Sequence, residues 1–148
     1  MIIVFIDGLV EPINPGGVAT YGFVVYNNET KLLEKFGVIG KGPLMSNNLA
    51  EYYALYEVLK FLIENKLNNE EIIVKSDSQL LVNQMNGLWK IKGGLYYPIY
   101  KKVSNFLKKF LNIKFIWIPR EQNIEADLLS RKAYEEWLKK RNYERSRL

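Results

Sequence analysis

Apolar positions open the chain as an unbroken run, Ile2-Ile3-Val4-Phe5-Ile6, rich in β-branched side chains and closed by Asp7 and Gly8. A run of that length without alternation predicts a strand buried on both faces, with Asp7 at its exposed end. Asn14-Pro15-Gly16-Gly17 supplies a turn. Thr20–Tyr26 and Leu32–Ile39 read as two further strands, with Asn27-Asn28 turning between them, so the opening third predicts an antiparallel meander. Gly40–Leu44 is a loop. The period then becomes helical from about Asn48 to Asn65, where Leu55, Val58 and Leu62 form an apolar stripe widened by Tyr52, Tyr56, Leu59 and Ile63. Glu51 begins that stripe as its one acidic member.

A polar loop, Asn68–Glu71, precedes a short strand, Ile72–Lys75, which runs into Ser76-Asp77-Ser78. A helix from Gln79 to about Asn86 stops at Gly87. Leu88–Tyr97 is a loop carrying Trp89 among basic residues, and Pro98 suits the first turn of a helix reaching about Leu111. Lys114–Ile118 is a fifth strand, stopped by Pro119. Arg120–Asn123 leads into a last helix, roughly Ile124 to Arg141, with a basic frayed tail. The pattern predicts an α/β fold: a five-stranded mixed sheet, three antiparallel strands and then two parallel ones, with helices on both faces.

Composition narrows the chemistry. The 148 residues suit a single domain, 1–148, and 48% apolar content is that of a folded chain. No apolar run approaches the roughly 20 residues that span a bilayer, and the N-terminal run is too short for a signal-peptide core. The expected setting is therefore cytoplasmic, without a membrane, and nothing points to an obligate oligomer, so a monomer is expected. There is no Cys and no His. That excludes a thiolate nucleophile, a histidine general base and any histidine- or thiolate-ligated metal. A metal would need oxygen ligands, which suits magnesium, manganese or calcium. The net charge of +5 leans toward polyanionic partners.

The chain has three aspartates, Asp7, Asp77 and Asp127. The first two follow predicted strands, and Asp127 opens the last helix just after the fifth. Parallel strands joined by right-handed crossovers collect such ends on one sheet edge. Each acid also has a purely structural reading: Asp7 as a turn cap, Asp77 as a helix N-cap, Glu51 as partner of Asn48 in a capping box, Asp127 as a favoured charge at a helix start. Four carboxylates on one edge, however, need positive charge to offset their repulsion. Two divalent ions held by oxygen would do that and could drive phosphoryl hydrolysis.

Four blocks then carry a resemblance: Phe5-Ile6-Asp7-Gly8 with Asn14–Gly17, Ser46-Asn47-Asn48-Leu49-Ala50-Glu51, Ser76-Asp77-Ser78-Gln79, and Pro119–Asp127. In that order the chain resembles the type 1 ribonucleases H, nearest the compact archaeal-style members, over nearly its full length. The resemblance implies the ribonuclease H-like fold and an endonuclease cutting the RNA strand of RNA–DNA hybrids, leaving 5′-phosphate and 3′-hydroxyl ends. It implies two Mg²⁺ ions, with Mn²⁺ as a substitute. Asp7 would bridge both, Asp127 would serve the ion that activates water, and Glu51 and Asp77 the ion at the leaving oxygen. It also implies substrate contacts at Gly8, Asn14, Asn47, Asn48, Gln79 and Trp89, with Ser46 on a DNA-strand phosphate. Double-stranded RNA is a further candidate substrate. The alternatives are a non-catalytic hybrid or double-stranded RNA-binding module and another metal-dependent nuclease on the same fold.

Two departures from the family pattern stand out. Many relatives have a histidine on a longer loop before the last aspartate. Here that loop is the short Pro119-Arg120-Glu121-Gln122, and Arg120 is expected to take part of its role by contacting phosphate, though it cannot shuttle protons. The basic handle of some members is reduced to Trp89, Lys90 and Lys92. Lys101, Lys102, Lys139, Lys140 and Arg141 are then candidates for substrate grip, although a solvated helix face explains them as well.

Overall fold

Strand formation at the N-terminus follows the apolar run and then outlasts it. A computed structural model describes residues Met1–Arg147, so Leu148, the last residue of the expected domain, lies outside the described residues. β1 spans Ile2–Glu11, which makes Asp7 an interior residue of the strand rather than its end. Pairing is the reason. β2 (Val18–Asn27) pairs antiparallel with β1 all the way from Ile2↔Asn27 to Glu11↔Val18. β4 (Glu71–Ser76) pairs with β1 in parallel only from Ile2↔Ile72 to Phe5↔Lys75. Asp7 thus lies beyond the last parallel pair, held by β2 on one side and unpaired on the other. The carboxyl end of the parallel ladder, not of the strand, is what locates it.

β3 (Thr30–Lys41) and β5 (Asn112–Trp117) complete a five-stranded sheet in the order β3-β2-β1-β4-β5. The first three strands are antiparallel and the last two run parallel to β1, as the pattern predicts. α1 (Asn47–Glu64), α2 (Gln79–Met85) and α3 (Tyr97–Leu107) share one apolar core over one face. α4 (Ile124–Ser146) crosses the other face over β1, β2 and β3. Burial of β1 on both faces is corrected by this arrangement. Ile2, Val4 and Ile6 face the three-helix core at 1%, 0% and 0% exposure, whereas Ile3 and Phe5 on the opposite face stay half-buried because α4 covers only part of it.

Two helix ends also differ from expectation. α3 stops at Leu107, not Leu111, because the 68–70 loop clips the chain there: Asn68 Nδ2 donates to Lys109 O at 2.7 Å and Leu111 N donates to Asn68 O at 3.4 Å. α4 continues past Arg141 to Ser146, through good helix formers such as Glu144 and Arg145. Inside the core, Tyr52 stacks on Tyr96, and its hydroxyl donates to Gln84 Oε1 at 2.6 Å. Gln84 Nε2 lies 3.0 Å from both Lys90 O and Tyr96 Oη. That buried network fastens the Trp89 loop to α1 and α2, so the loop is a built wall rather than a loose insertion.

Candidate active site

Two glycines set the site. A Cβ on Gly8 would lie 2.3 Å from Ala50 C and 2.4 Å from Glu51 N, so only glycine lets the first turns of α1 cross β1 there. Gly22, the β2 partner of Asp7, does the same for α4, since its Cβ would lie 2.7 Å from Ser130 N. Through these close crossings α1 delivers Glu51 from one face and α4 delivers Asp127 and Ser130 from the other. β4 ends one residue before Asp77.

One atom from each of Asp7, Glu51 and Asp77 lies within 4.8 Å of the others. Asp7 and Glu51 are buried, at 5% and 8% exposure. Burial pushes Asp7 up to about 7, helped by the charges of Asp77 and Asp127 and opposed by the Ser130 hydroxyl. Burial also raises Glu51 well above the carboxylate range, with Asp7 and Asp77 adding to it and the Gly8 amide pulling the other way. Asp77 is raised by burial too, against the Asn123 amide and the Arg120 guanidinium. Glu51 Oε2 is buried and has no hydrogen-bond partner. An unpaired oxygen inside a trio of mutually repelling carboxylates fits a divalent cation with oxygen ligands, the donor set such ions take.

Asp127 lines the same cleft, of about 320 Å³, but stands outside the close trio. Its Oδ1 is 3.2 Å from Arg131 Nε and 3.9 Å from Arg120 Nη2. Gly8, Asn47, Asn48 and Arg120 line that cleft as well. Asn48 is also a wall of a neighbouring cleft of about 630 Å³ that holds Trp89, Lys90 and Lys92. Asn14, Ser46 and Gln79 line neither. Asn14 Oδ1 accepts from Asn47 N at 3.0 Å and Ser46 Oγ accepts from Leu49 N at 3.2 Å, so both close off the free amides that begin α1. Gln79 is exposed at the first residue of α2.

The structural readings of the acids are corrected at two places. Ser46, not Asn48, caps α1, so Glu51 is no capping-box partner. Ser78, not Asp77, caps α2, accepting from Leu81 N at 3.2 Å. Both acids are thereby released from a local duty and face the cleft.

Three side chains at the site were not singled out by sequence reasoning: Arg131, which pairs with Asp127, and also Ser130 and Asn123. Ser130 Oγ lies 2.7 Å from Asp7 Oδ2. Asn123, fully buried, donates from Nδ2 to Ile6 O at 2.8 Å and reaches Asp77 Oδ2 at 3.5 Å, while its Oδ1 has no partner. Both Nδ2 neighbours are acceptors, which fixes the orientation of the amide. The available signal was spacing: Ser130 follows Asp127 by one helical turn and so shares its face.

A mixed sheet with a carboxylate cleft at the carboxyl end of its parallel ladder defines a class of α/β proteins with acidic, metal-suited sites. Within that class, the reverse transcriptase-like family model matches residues 13–133, a span that includes Glu51, Asp77 and Asp127 and begins after Asp7. The bifunctional protein Rv2228c of Mycobacterium tuberculosis is 37% identical over 122 residues, covering 81% of this chain and 32% of that protein. The chain thus spans about a third of the length of that curated relative. The solved structure of LC11-RNase H1 in complex with RNA/DNA hybrid is 33% identical with a TM-score of 0.83, over 93% of this chain and 99% of that one. RNase H1 from the halophilic archaeon Halobacterium salinarum NRC-1 is 25% identical with a TM-score of 0.79, over 91% and 98%. The chain belongs to the reverse transcriptase-like family and, within it, to the type 1 ribonucleases H.

Proposed function

We propose that this chain is an endoribonuclease that hydrolyses the RNA strand of RNA–DNA hybrids, with Mg²⁺ as its ion and Mn²⁺ able to substitute. The observation that carries the reading is the trio Asp7, Glu51 and Asp77, three carboxylates within 4.8 Å with one buried oxygen unpaired. Asp7, Glu51 and Asp77 would hold divalent cations, with Asp127 contributing from the opposite wall. Bound ions would supply a water activated at neutral pH and positive charge for the phosphoryl oxygens. The protein's own part is positioning and exclusion. With no His or Cys in the chain, no side chain of those types serves as nucleophile or general base.

Substrate recognition in this reading divides between the two adjoining clefts. Asn47 and Asn48, at the mouth of the carboxylate cleft, offer amide donors and acceptors to 2′-hydroxyls, which tell RNA from DNA. Trp89 with Lys90 and Lys92 forms an aromatic and basic wall suited to the second strand. Asn14 and Ser46 combine helix capping with any groove contact, and Gln79 joins from the start of α2. Gly8 contributes through the close approach it allows rather than through a side chain. Arg120, two-thirds exposed and 3.9 Å from Asp127, would grip a phosphate in this reading. Arg120→Ala is expected to slow product release or turnover about tenfold in a variant that remains folded. Unchanged single-turnover and steady-state rates would remove Arg120 from the account.

The reading carries the expectation of a monomer acting in the cytoplasm on nucleic acid. Among the described residues no helix is long and apolar enough to cross a membrane. The deciding assay uses end-labelled hybrid, duplex DNA and duplex RNA, each with Mg²⁺, Mn²⁺ or chelator. Internal cuts in the RNA strand of the hybrid, abolished by chelator, are expected. Cleavage of duplex DNA instead, or digestion only from single-stranded ends, would overturn the assignment, while cuts in duplex RNA would widen it.

A further inference from the structure

Ser130 is fully buried on the face of α4 that meets β1 and β2. Its hydroxyl has one proton and two acceptors in reach, Asp7 Oδ2 at 2.7 Å and Asp127 O at 2.9 Å. A buried serine in a helix needs only the second of these, the carbonyl one turn back on its own helix. The Asp7 oxygen is the nearer acceptor, so the Ser130 hydroxyl donates to it. A second bond locks the same residue from behind: Thr20 Oγ1 donates to Ser130 O at 2.9 Å, fastening it to β2. The close approach at Gly22, where a Cβ would lie 2.7 Å from Ser130 N, removes the slack between helix and sheet.

A carboxylate turns easily about its last torsion. Asp7 stands with one oxygen within 4.8 Å of oxygens of Glu51 and Asp77, and a bond on its Oδ2 decides how the carboxylate faces them. We propose that Ser130 is a positioning residue for the metal site: its hydroxyl holds Asp7 Oδ2 and so fixes how the other oxygen is presented to a divalent cation shared with Glu51 and Asp77. This rests on the metal-dependent nuclease reading and adds to it a supporting residue on α4.

The test is Ser130→Ala in the full chain, with Mg²⁺ affinity measured by calorimetry on the hybrid-free protein and the Mg²⁺ concentration for half-maximal hybrid cleavage measured alongside. Loss of an outer hydrogen-bonding partner of a metal ligand weakens binding by about tenfold or more. Both the dissociation constant and the half-maximal concentration are expected to rise by about that factor. A folded variant with a lower unfolding midpoint but Mg²⁺ affinity within twofold of wild type would show a merely structural serine and overturn the proposal. Should the alanine variant fail to fold, Ser130→Cys keeps the shape with a much weaker donor. It is expected to weaken Mg²⁺ binding in the same direction, and unchanged affinity there would overturn the proposal equally. Wild-type inactivity on hybrids would remove the nuclease reading yet leave the calorimetric comparison intact, so the two failures are distinguishable.

Discussion

Burying Asp7 beside Glu51 and Asp77 costs the metal-free protein stability, because each carboxylate loses water and gains a like-charged neighbour. All three carboxyl groups are raised above their ordinary range, Asp7 to about 7. The folded state therefore binds more protons than the unfolded state between pH 4 and the neutral range. The contribution of these groups to stability is full below the unfolded carboxyl range and is lost as pH rises through about 7. Thermal unfolding in chelator is expected to show a midpoint falling from pH 5 to pH 8, and Mg²⁺ is expected to restore most of the loss at pH 8. A midpoint that is flat or rises over that range, with no response to Mg²⁺, would contradict the electrostatics described for the trio.

At the scale of elements, the site depends on how closely α1 and α4 approach the sheet. Gly8→Ala would push a Cβ to within 2.3 Å of the Ala50 carbonyl carbon. Backbone does not yield as a side-chain tip does, so the expected loss exceeds the usual overpacking range, at about 3 kcal/mol or more. Activity should fall further than stability alone explains, because α1 carries Glu51. Denaturant midpoints together with hybrid cleavage would check this, and wild-type values for both would refute the close-approach argument. Much of this layer was legible in the chain. The meander, the two parallel strands and the three aspartates could be read because strand ends and helix starts have local signatures. The interior position of Asp7 could not, since it depends on where β4 stops pairing with β1, a long-range fact. The caps at Ser46 and Ser78 were assigned one or two residues away for a related reason: several polar residues could cap each helix, and packing decides which one does. Ser130 shares a helix face with Asp127 but acts through Asp7 and Thr20 on the sheet, and Asn123 acts through Ile6 and Asp77, so their partners are set by long-range packing. The end of α3 was misplaced because a distant loop, through Asn68, captures it.

At the scale of the whole molecule, the net charge of +5 is spread unevenly with respect to the clefts. Lys90 and Lys92 stand at the Trp89 cleft, which adjoins the carboxylates through Asn48. Lys139 and Lys140 lie along α4 roughly 20 Å beyond Asp127, at about 1.5 Å per residue. Charge removal is therefore expected to separate the two groups. Replacing Lys90 and Lys92 with alanine should flatten the dependence of log affinity on log salt by up to about two phosphate contacts, whereas replacing Lys139 and Lys140 should leave the slope unchanged. The reverse pattern, seen in hybrid binding without cleavage, would move the nucleic-acid face to the far end of α4.

The acids themselves offer the sharpest test. Asp7→Asn keeps the shape of the side chain, removes one of the three clustered charges and leaves both clefts in place. Hybrid cleavage in Mg²⁺ and hybrid affinity, measured on the same folded variant, should part company: cleavage lost by at least about a thousandfold and affinity equal to or tighter than wild type. Cleavage retained within tenfold of wild type would contradict a site built on Asp7.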